Sequence, residues 1–430
     1  MNGERQTDSN VRRQSGRTSN RRPQLSRFAC VAASALALTV FGSVGSAAET
    51  NAPSASAAYS GPLTMTDKEV ADLIQKLNLP LSDKPVREML KGWRKPTKAV
   101  VFAENSPQWI PWLQAAVPDL KLVVVDGSGR TLTKEVLAQV ADADIQIGGS
   151  CTKDLLAAEK KLRWIQSAHV GVEGCFTGDV PKRLVEGDVI MSNQKRAYGE
   201  AIANHAIAMM LALERGLDLY VRMNDAEQFV PTPNRLRHPQ GQTMLVVGLG
   251  GLGTDIAKSA NKFGMKIIGT RNSSRDKPDF VEYVGLANEL PDLIGKADVV
   301  VAAVPLTDQT RHLFNADMFG RMKKGALFIN VARGGLVDSA ALVAALKSGQ
   351  VGGAGLDVTE PEPLKKGDPL WHAPNIIITP HMSAHFSSAD DGSEKLANQT
   401  IEAWAVMREN VRRYVAGDRI YSLVDPKVGY

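Results

Sequence analysis

From Ala99 to Met191 short apolar runs alternate with polar, helix-competent segments. The runs Ala99–Phe102, Leu122–Val125, Ile145–Ile147, Trp164–Gln166 and Val189–Met191 have strand length, and pieces such as Thr133 to Asp142 lie between them. That alternation predicts a parallel sheet covered by helices. A helix is predicted from about Gly199 to Arg222, apolar on most faces (Ile202, Ala206, Met209, Met210, Leu213), as in helices buried between domains. Phe229 to Gln242 is irregular, broken by Pro231, Pro233 and Pro239. A second alternating series follows, with strands predicted at Val299–Val304, Ala326–Asn330, Gly355–Val358 and Ile376–Thr379. Past His381 the pattern turns helical, and Ile401, Trp404, Val411 and Tyr414 fall near one helix face.

The second series opens on Met244 to Arg271. An apolar run, Met244–Val247, passes into Gly248-Leu249-Gly250-Gly251-Leu252-Gly253, then a helical stretch, then a second apolar run, Met265–Ile268. Strand, glycine turn, helix and strand in this order form a dinucleotide fingerprint. Gly248 permits the tight turn, Gly250 lets the backbone approach a pyrophosphate, and Gly253 lets helix and strand pack closely. The N–H groups at the start of the helix, around Gly251 and Leu252, face the phosphate charge.

Composition changes this picture little. The formal charge of +5 resides in residues 1–30, where seven Arg face only Glu4 and Asp8. The remainder is near neutral, so no nucleic-acid footprint is expected. The start of the chain reads as an export signal: a basic stretch containing Arg21-Arg22 and Arg27, an apolar run Phe28 to Val44, and small residues to Ala48. The arginine pair resembles a twin-arginine signal, although Pro23 and Gln24 depart from the usual residues after the pair. The expectation is a signal peptide over 1–48, a linker over 49–62, a periplasmic or otherwise exported product, and no stable membrane span after leader removal. Only Cys151 and Cys175 would survive cleavage, and their pairing is left open.

Four further motifs carry a family resemblance. They are Val304-Pro305-Leu306-Thr307 with Thr310-Arg311-His312-Leu313-Phe314-Asn315; Ile329-Asn330-Val331-Ala332-Arg333-Gly334-Gly335-Leu336-Val337-Asp338; Leu356 to Leu364; and Asn375 to His381. In this order they resemble the D-isomer-specific 2-hydroxyacid dehydrogenases, of the glyoxylate/hydroxypyruvate reductase kind, over roughly Ala99 to Tyr414. The resemblance implies an α/β protein of two Rossmann-like, doubly wound domains, with the nucleotide-binding domain inserted into a discontinuous substrate domain. On this chain the boundaries expected are 63–203, 204–384 and 385–430, with a homodimer as the assembly.

The same resemblance distributes roles. Arg333 matches the substrate arginine: a guanidinium can fork onto the carboxylate of a 2-keto acid while polarising its carbonyl. His381 matches the general acid/base, placed at a strand's carboxyl end where open α/β sheets bind ligands. Glu362 matches the carboxylate partner of that histidine, which favours the protonated ring, and Glu360 is read as a solvated neighbour. Asp357 matches the residue that bonds the nicotinamide carboxamide, with turn capping as the plain alternative. Val170 and Gly171 match the loop whose N–H groups receive the substrate carboxylate. Val304, Pro305, Thr310 and Ala332 fall in the cofactor-binding motifs.

Coenzyme choice is read where the second fingerprint strand ends. NAD enzymes commonly carry Asp or Glu there, but this chain has Arg271-Asn272-Ser273-Ser274-Arg275 and no carboxylate before Asp276. NADP is therefore expected, with NAD still possible: Arg271 clamps the 2′-phosphate, Asn272 and Ser273 lie beside it, and Arg275 assists. His381 and His385 have the spacing of a helical metal pair, but neither a surrounding HExxH nor a third ligand is evident, so no metal is expected. His205 is read as structural at the domain junction. The function expected is hydride transfer between small 2-keto acids and D-2-hydroxy acids. The alternatives are a formate or phosphite dehydrogenase-like enzyme, disfavoured because a formate enzyme has Gln where Glu362 stands, and a nucleotide-binding sensor without turnover.

Overall fold

In a computed structural model the apolar runs assemble into two all-parallel sheets. The structure describes residues 64–102, 109–125, 131–176, 182–231, 236–384, 386–387, 396–397 and 401–426, all within one compact unit, Ala55–Tyr430. The leader and linker expected over 1–62 lie outside the described residues.

The first sheet contains β1 (Lys98–Phe102), β2 (Lys121–Val125), β3 (Ile145–Ile147), β4 (Trp164–Gln166) and β5 (Ile190–Ser192), in the order β2-β1-β3-β4-β5. The helix Ile401–Ala416 returns to it: Tyr414 stacks on Trp164 with ring centroids 4.5 Å apart, and Asn410 donates to buried Gln166 at 2.8 Å. Fully burying two such aromatic rings is a large apolar contribution, beyond what the amphipathic face alone would supply.

The second sheet contains β6 (Thr243–Val247), β7 (Lys266–Arg271), β8 (Tyr283–Leu286), β9 (Val299–Ala302), β10 (Ala326–Asn330), β11 (Val351–Leu356) and β12 (Ile376–Ile378). Its order is β12-β11-β10-β9-β6-β7-β8, so the winding reverses between β6 and β9, where such sheets open a ligand crevice. Both faces are buried: Leu245 and Val247 join one core cluster, Met244 and Val246 the other.

Four elements differ from the sequence pattern. The helix expected from Gly199 to Arg222 is two, Gly199–Glu214 and Leu217–Asp225, because Gly216 takes φ +66° and ends the first. The strand expected at Gly355–Val358 is Val351–Leu356, displaced because Gly352, Gly353 and Gly355 hide its apolar pattern; a Cβ on Gly352 would meet the Gly325 carbonyl at 2.2 Å. The fingerprint's second strand runs on to Arg271, and the edge strand β8 carried no readable signal.

Candidate active site

Three neighbouring strand ends build the site. Asn330 of β10 is in register with Leu356 of β11, and Leu356 with Ile378 of β12. Arg333 lies three residues beyond Asn330, Asp357 follows Leu356 directly, and His381 lies three residues beyond Ile378. With strands about 4.8 Å apart, the arms bearing Arg333 and His381 leave one sheet edge roughly 10 Å from each other. Asn330 is fully buried and shapes the first arm: its Oδ1 accepts the Ala332 N–H at 3.0 Å and its Nδ2 donates to the Arg333 carbonyl at 2.9 Å. The Arg333 guanidinium is half-buried and donates to the Ala332 carbonyl at 2.7 Å.

His381 sits at φ +58°, its N–H shared between the carbonyls of Asp357 (2.8 Å) and Thr379 (3.0 Å). Its Nδ1 is 2.5 Å from Glu362 Oε1, which leaves Nε2 as the outward nitrogen. Asp357 makes the contacts of its plain alternative, turn capping. Its enclosed carboxylate accepts the Thr379 hydroxyl (2.6 Å) and the N–H groups of Met382 (2.8 Å) and Ser383 (3.0 Å), so here it caps the turn that aims His381. Burial pushes its pKa up, but these hydrogen bonds outweigh that and hold the carboxyl below its ordinary value. Because the Thr379 hydrogen goes to Asp357, His205 Nε2, 2.9 Å from Thr379 Oγ1, is the donor of that contact. His205 thus ties the Gly199–Glu214 helix to the His381 turn.

Glu360 is not merely solvated. It accepts a 2.7 Å bond from Arg311, has His312 at 3.5 Å, and is held below the usual carboxylate range chiefly by Arg311. This pair lies over Gly335, and a Cβ on Gly334 would fall 2.0 Å from the Thr359 carbonyl, so the loop leading to Glu362 packs directly on the loop bearing Arg333.

At the glycine turn Gly248 takes φ +98°, and a Cβ on Gly253 would meet the Gly248 carbonyl at 2.1 Å. Gly250 faces open space, Gly251 lies against the Arg196 side chain, and Leu252 is half-buried. Val304 packs on Gly248, while Thr310 donates to the Pro305 carbonyl at 2.7 Å and closes that loop. Arg271, half-buried at the end of β7, has its Nε buried with no hydrogen-bond partner among the described residues, and exposed Asn272 and Ser273 follow. An open cradle with an orphaned guanidinium nitrogen one strand away fits a phosphorylated dinucleotide. Arg275 does not join it: Glu289 (2.5 Å), Tyr283 (3.1 Å) and the Val284 carbonyl (3.1 Å) take its guanidinium.

In the first sheet, Val170 and Gly171 follow β4, and among the described residues no hydrogen bond engages their N–H groups. Asn193, Gln194 and Tyr198 hold the loop by the carbonyls of Val170 (2.8 Å), His169 (3.1 Å) and Ala168 (2.9 Å). The sequence does not announce these anchors, since a side chain or a backbone N–H bonding a carbonyl more than twenty residues away leaves no local signal. Cys151 and Cys175 form a disulfide. His385 lies outside the described residues, and among those described no group of three or more His, Cys, Asp or Glu could hold a metal.

Fold and site together define a class: two parallel α/β domains with a dinucleotide turn and an arginine, a histidine and a carboxylate on one sheet edge. The profile of the D-isomer specific 2-hydroxyacid dehydrogenase NAD binding domain matches residues 207–383. Glyoxylate reductase of Pyrococcus horikoshii is 33% identical over 297 residues, covering 65% of this chain and 85% of that protein. D-3-phosphoglycerate dehydrogenase of Methanocaldococcus jannaschii is 32% identical over 298 residues (68% of this chain), and the chain spans only 54% of its length. A D-isomer specific 2-hydroxyacid dehydrogenase from Xanthobacter autotrophicus, crystallised with NADPH and MES, superposes with TM-score 0.64 at 27% identity, covering 78% of this chain and all of that one. The chain belongs to the D-isomer-specific 2-hydroxyacid dehydrogenase family, and it is an oxidoreductase.

Proposed function

We propose that this protein reduces small 2-keto acids of the glyoxylate and hydroxypyruvate type to D-2-hydroxy acids, with NADPH as the preferred coenzyme. The observation that carries the reading is the 2.5 Å Glu362–His381 contact beside the arm that presents Arg333. Arg333 grips the substrate carboxylate through paired hydrogen bonds and draws charge towards the carbonyl oxygen. Val170 and Gly171 offer N–H groups to the same carboxylate from the other domain. His381, oriented through Nδ1 by Glu362, delivers a proton from Nε2 to the carbonyl oxygen. When bound, the reduced coenzyme supplies the hydride. The glycine turn and Arg271 hold its phosphates, while the apolar cores beneath exclude water.

NADPH consumption with a panel of keto acids tests the reading. Turnover of glyoxylate or hydroxypyruvate supports it; an inert panel overturns it in favour of a nucleotide-binding module without turnover. The NADPH preference rests on Arg271 and on the missing carboxylate after β7; equal Michaelis constants for NADH and NADPH would overturn it. The leader pattern supports export to an oxidising compartment, and the Cys151–Cys175 bridge is in keeping with one. The homodimer is proposed from family likeness, with sedimentation as its test.

A further inference from the structure

The two loops joined by the disulfide are unequally held. Cys151 ends the loop after β3, and Cys175 closes the short turn Glu173–Cys175 that follows Val170-Gly171-Val172 after β4. β3 and β4 are parallel neighbours with Ile147 opposite Gln166, so both loops rise from the same sheet edge. The β3 loop is fixed from beneath: fully buried Gln146 donates to the carbonyls of Gly148 (2.8 Å) and Ser150 (2.9 Å). The β4 loop is fixed at its near end, where Asn193, Gln194 and Tyr198 bind the carbonyls of residues 168–170. At its far end the backbone offers, among the described residues, one turn bond, Cys175 N–H to the Val172 carbonyl at 2.9 Å. The disulfide adds a covalent connection to the β3 loop, and Val172, Phe176 and both cysteines pack in one small apolar cluster.

We propose that Cys151 and Cys175 are positioning residues for substrate capture: the bridge lends the rigidity of the β3 loop to the Val170–Gly171 N–H groups, and keto-acid affinity depends on its redox state. This rests on the functional reading above. Reduction by a dithiol breaks the S–S bond. The dithiol gives up two electrons and two protons, becoming its own disulfide, and two Cys thiols remain. The loop then keeps its near anchors and the packing of Val172 and Phe176 but loses its covalent tie to the β3 loop, and holding the N–H pair in place for a carboxylate costs entropy that the bridge had already removed.

The experiment compares the oxidised protein, the protein reduced with dithiothreitol and checked by thiol count, and the Cys151→Ser/Cys175→Ser variant. Expected on reduction is a rise of about tenfold in KM for glyoxylate, with kcat and the KM for NADPH within about twofold, reversed by reoxidation. Backbone amide exchange over 168–176 should quicken while that of Gly248–Gly253 holds, a readout independent of turnover. Unchanged KM and unchanged exchange at full reduction overturn the proposal. So does accelerated exchange at Gly248–Gly253 as well, which would assign the bridge to global stability. If the oxidised enzyme turns over no keto acid, the functional reading fails instead, and amide exchange alone judges the bridge.

Discussion

Glu362 and His381 meet at 2.5 Å although 19 residues separate them, and the meeting is arranged by neither residue's own element. One arm is fixed by the Asp357 carboxylate, which caps the 379–383 turn; the other by the Thr359 backbone lying on Gly334. Replacing Glu362 by Gln should therefore spare the fold and strike the proton transfer. The expected outcome is a loss of about 10²-fold in kcat for keto-acid reduction, a displaced pH–rate profile and unchanged NADPH affinity. A wild-type profile would discard the pairing as functional.

Arg333→Lys keeps the charge but loses the fork. With each charge-assisted bond contributing about 1.5–3 kcal/mol, kcat/KM should fall roughly 10- to 100-fold, with most of the loss in KM if anchoring dominates. Steady-state kinetics with glyoxylate measures both terms.

Arg271→Ala removes the half-buried guanidinium whose Nε lacks a partner among the described residues. NADPH affinity should drop about 10- to 100-fold while NADH affinity holds within about twofold, measured by nucleotide fluorescence titration. Arg275→Ala should change neither by much, because Glu289 and Tyr283 already occupy that side chain.

Gly253→Ala would place a methyl group 2.1 Å from the Gly248 carbonyl. Neither backbone can yield without opening the turn, so the fold should lose about 1–3 kcal/mol and nucleotide binding should fall more than stability does. Thermal unfolding with and without NADPH separates the two.

Glu159 is fully buried with neither carboxyl oxygen hydrogen-bonded among the described residues, and burial pushes its pKa up to about 8 against a smaller opposing pull from Arg183. The folded protein therefore holds a proton that the unfolded chain releases. The associated stability is complete below the ordinary carboxylate value and is lost as pH rises towards 8. Glu159→Met should flatten this slope, with a gain over wild type that grows with pH to the order of a few kcal/mol near pH 8. Melting temperatures at acid and alkaline pH give the comparison.

Much of this molecule is legible in its sequence where one local cause suffices. Runs such as Met244–Val247 and Ala326–Asn330 are buried on both faces and announce their strands, and the glycine spacing announces the turn that follows. Legibility fails where a residue's partner lies far along the chain. Glu360 passes for a solvated acid until Arg311, 49 residues away, closes on it, and Arg275 looks like a phosphate ligand until Glu289 takes it. The pairing of Cys151 with Cys175 depends on two strands lying side by side, which spacing alone does not state. In β11 the glycines that let neighbouring backbone approach also erase the pattern that would have marked the strand.

The in-register ends of β10, β11 and β12 carry one last implication. Arms rooted in a shared hydrogen-bonded lattice have a fixed gauge, so the proposed acid His381 and the proposed anchor Arg333 cannot be spread to suit a bulkier substrate without unpairing the lattice itself. Under the proposed function, diversification towards larger acids then falls to the loops of the five-stranded sheet, where side chains can be exchanged without resetting the chemistry.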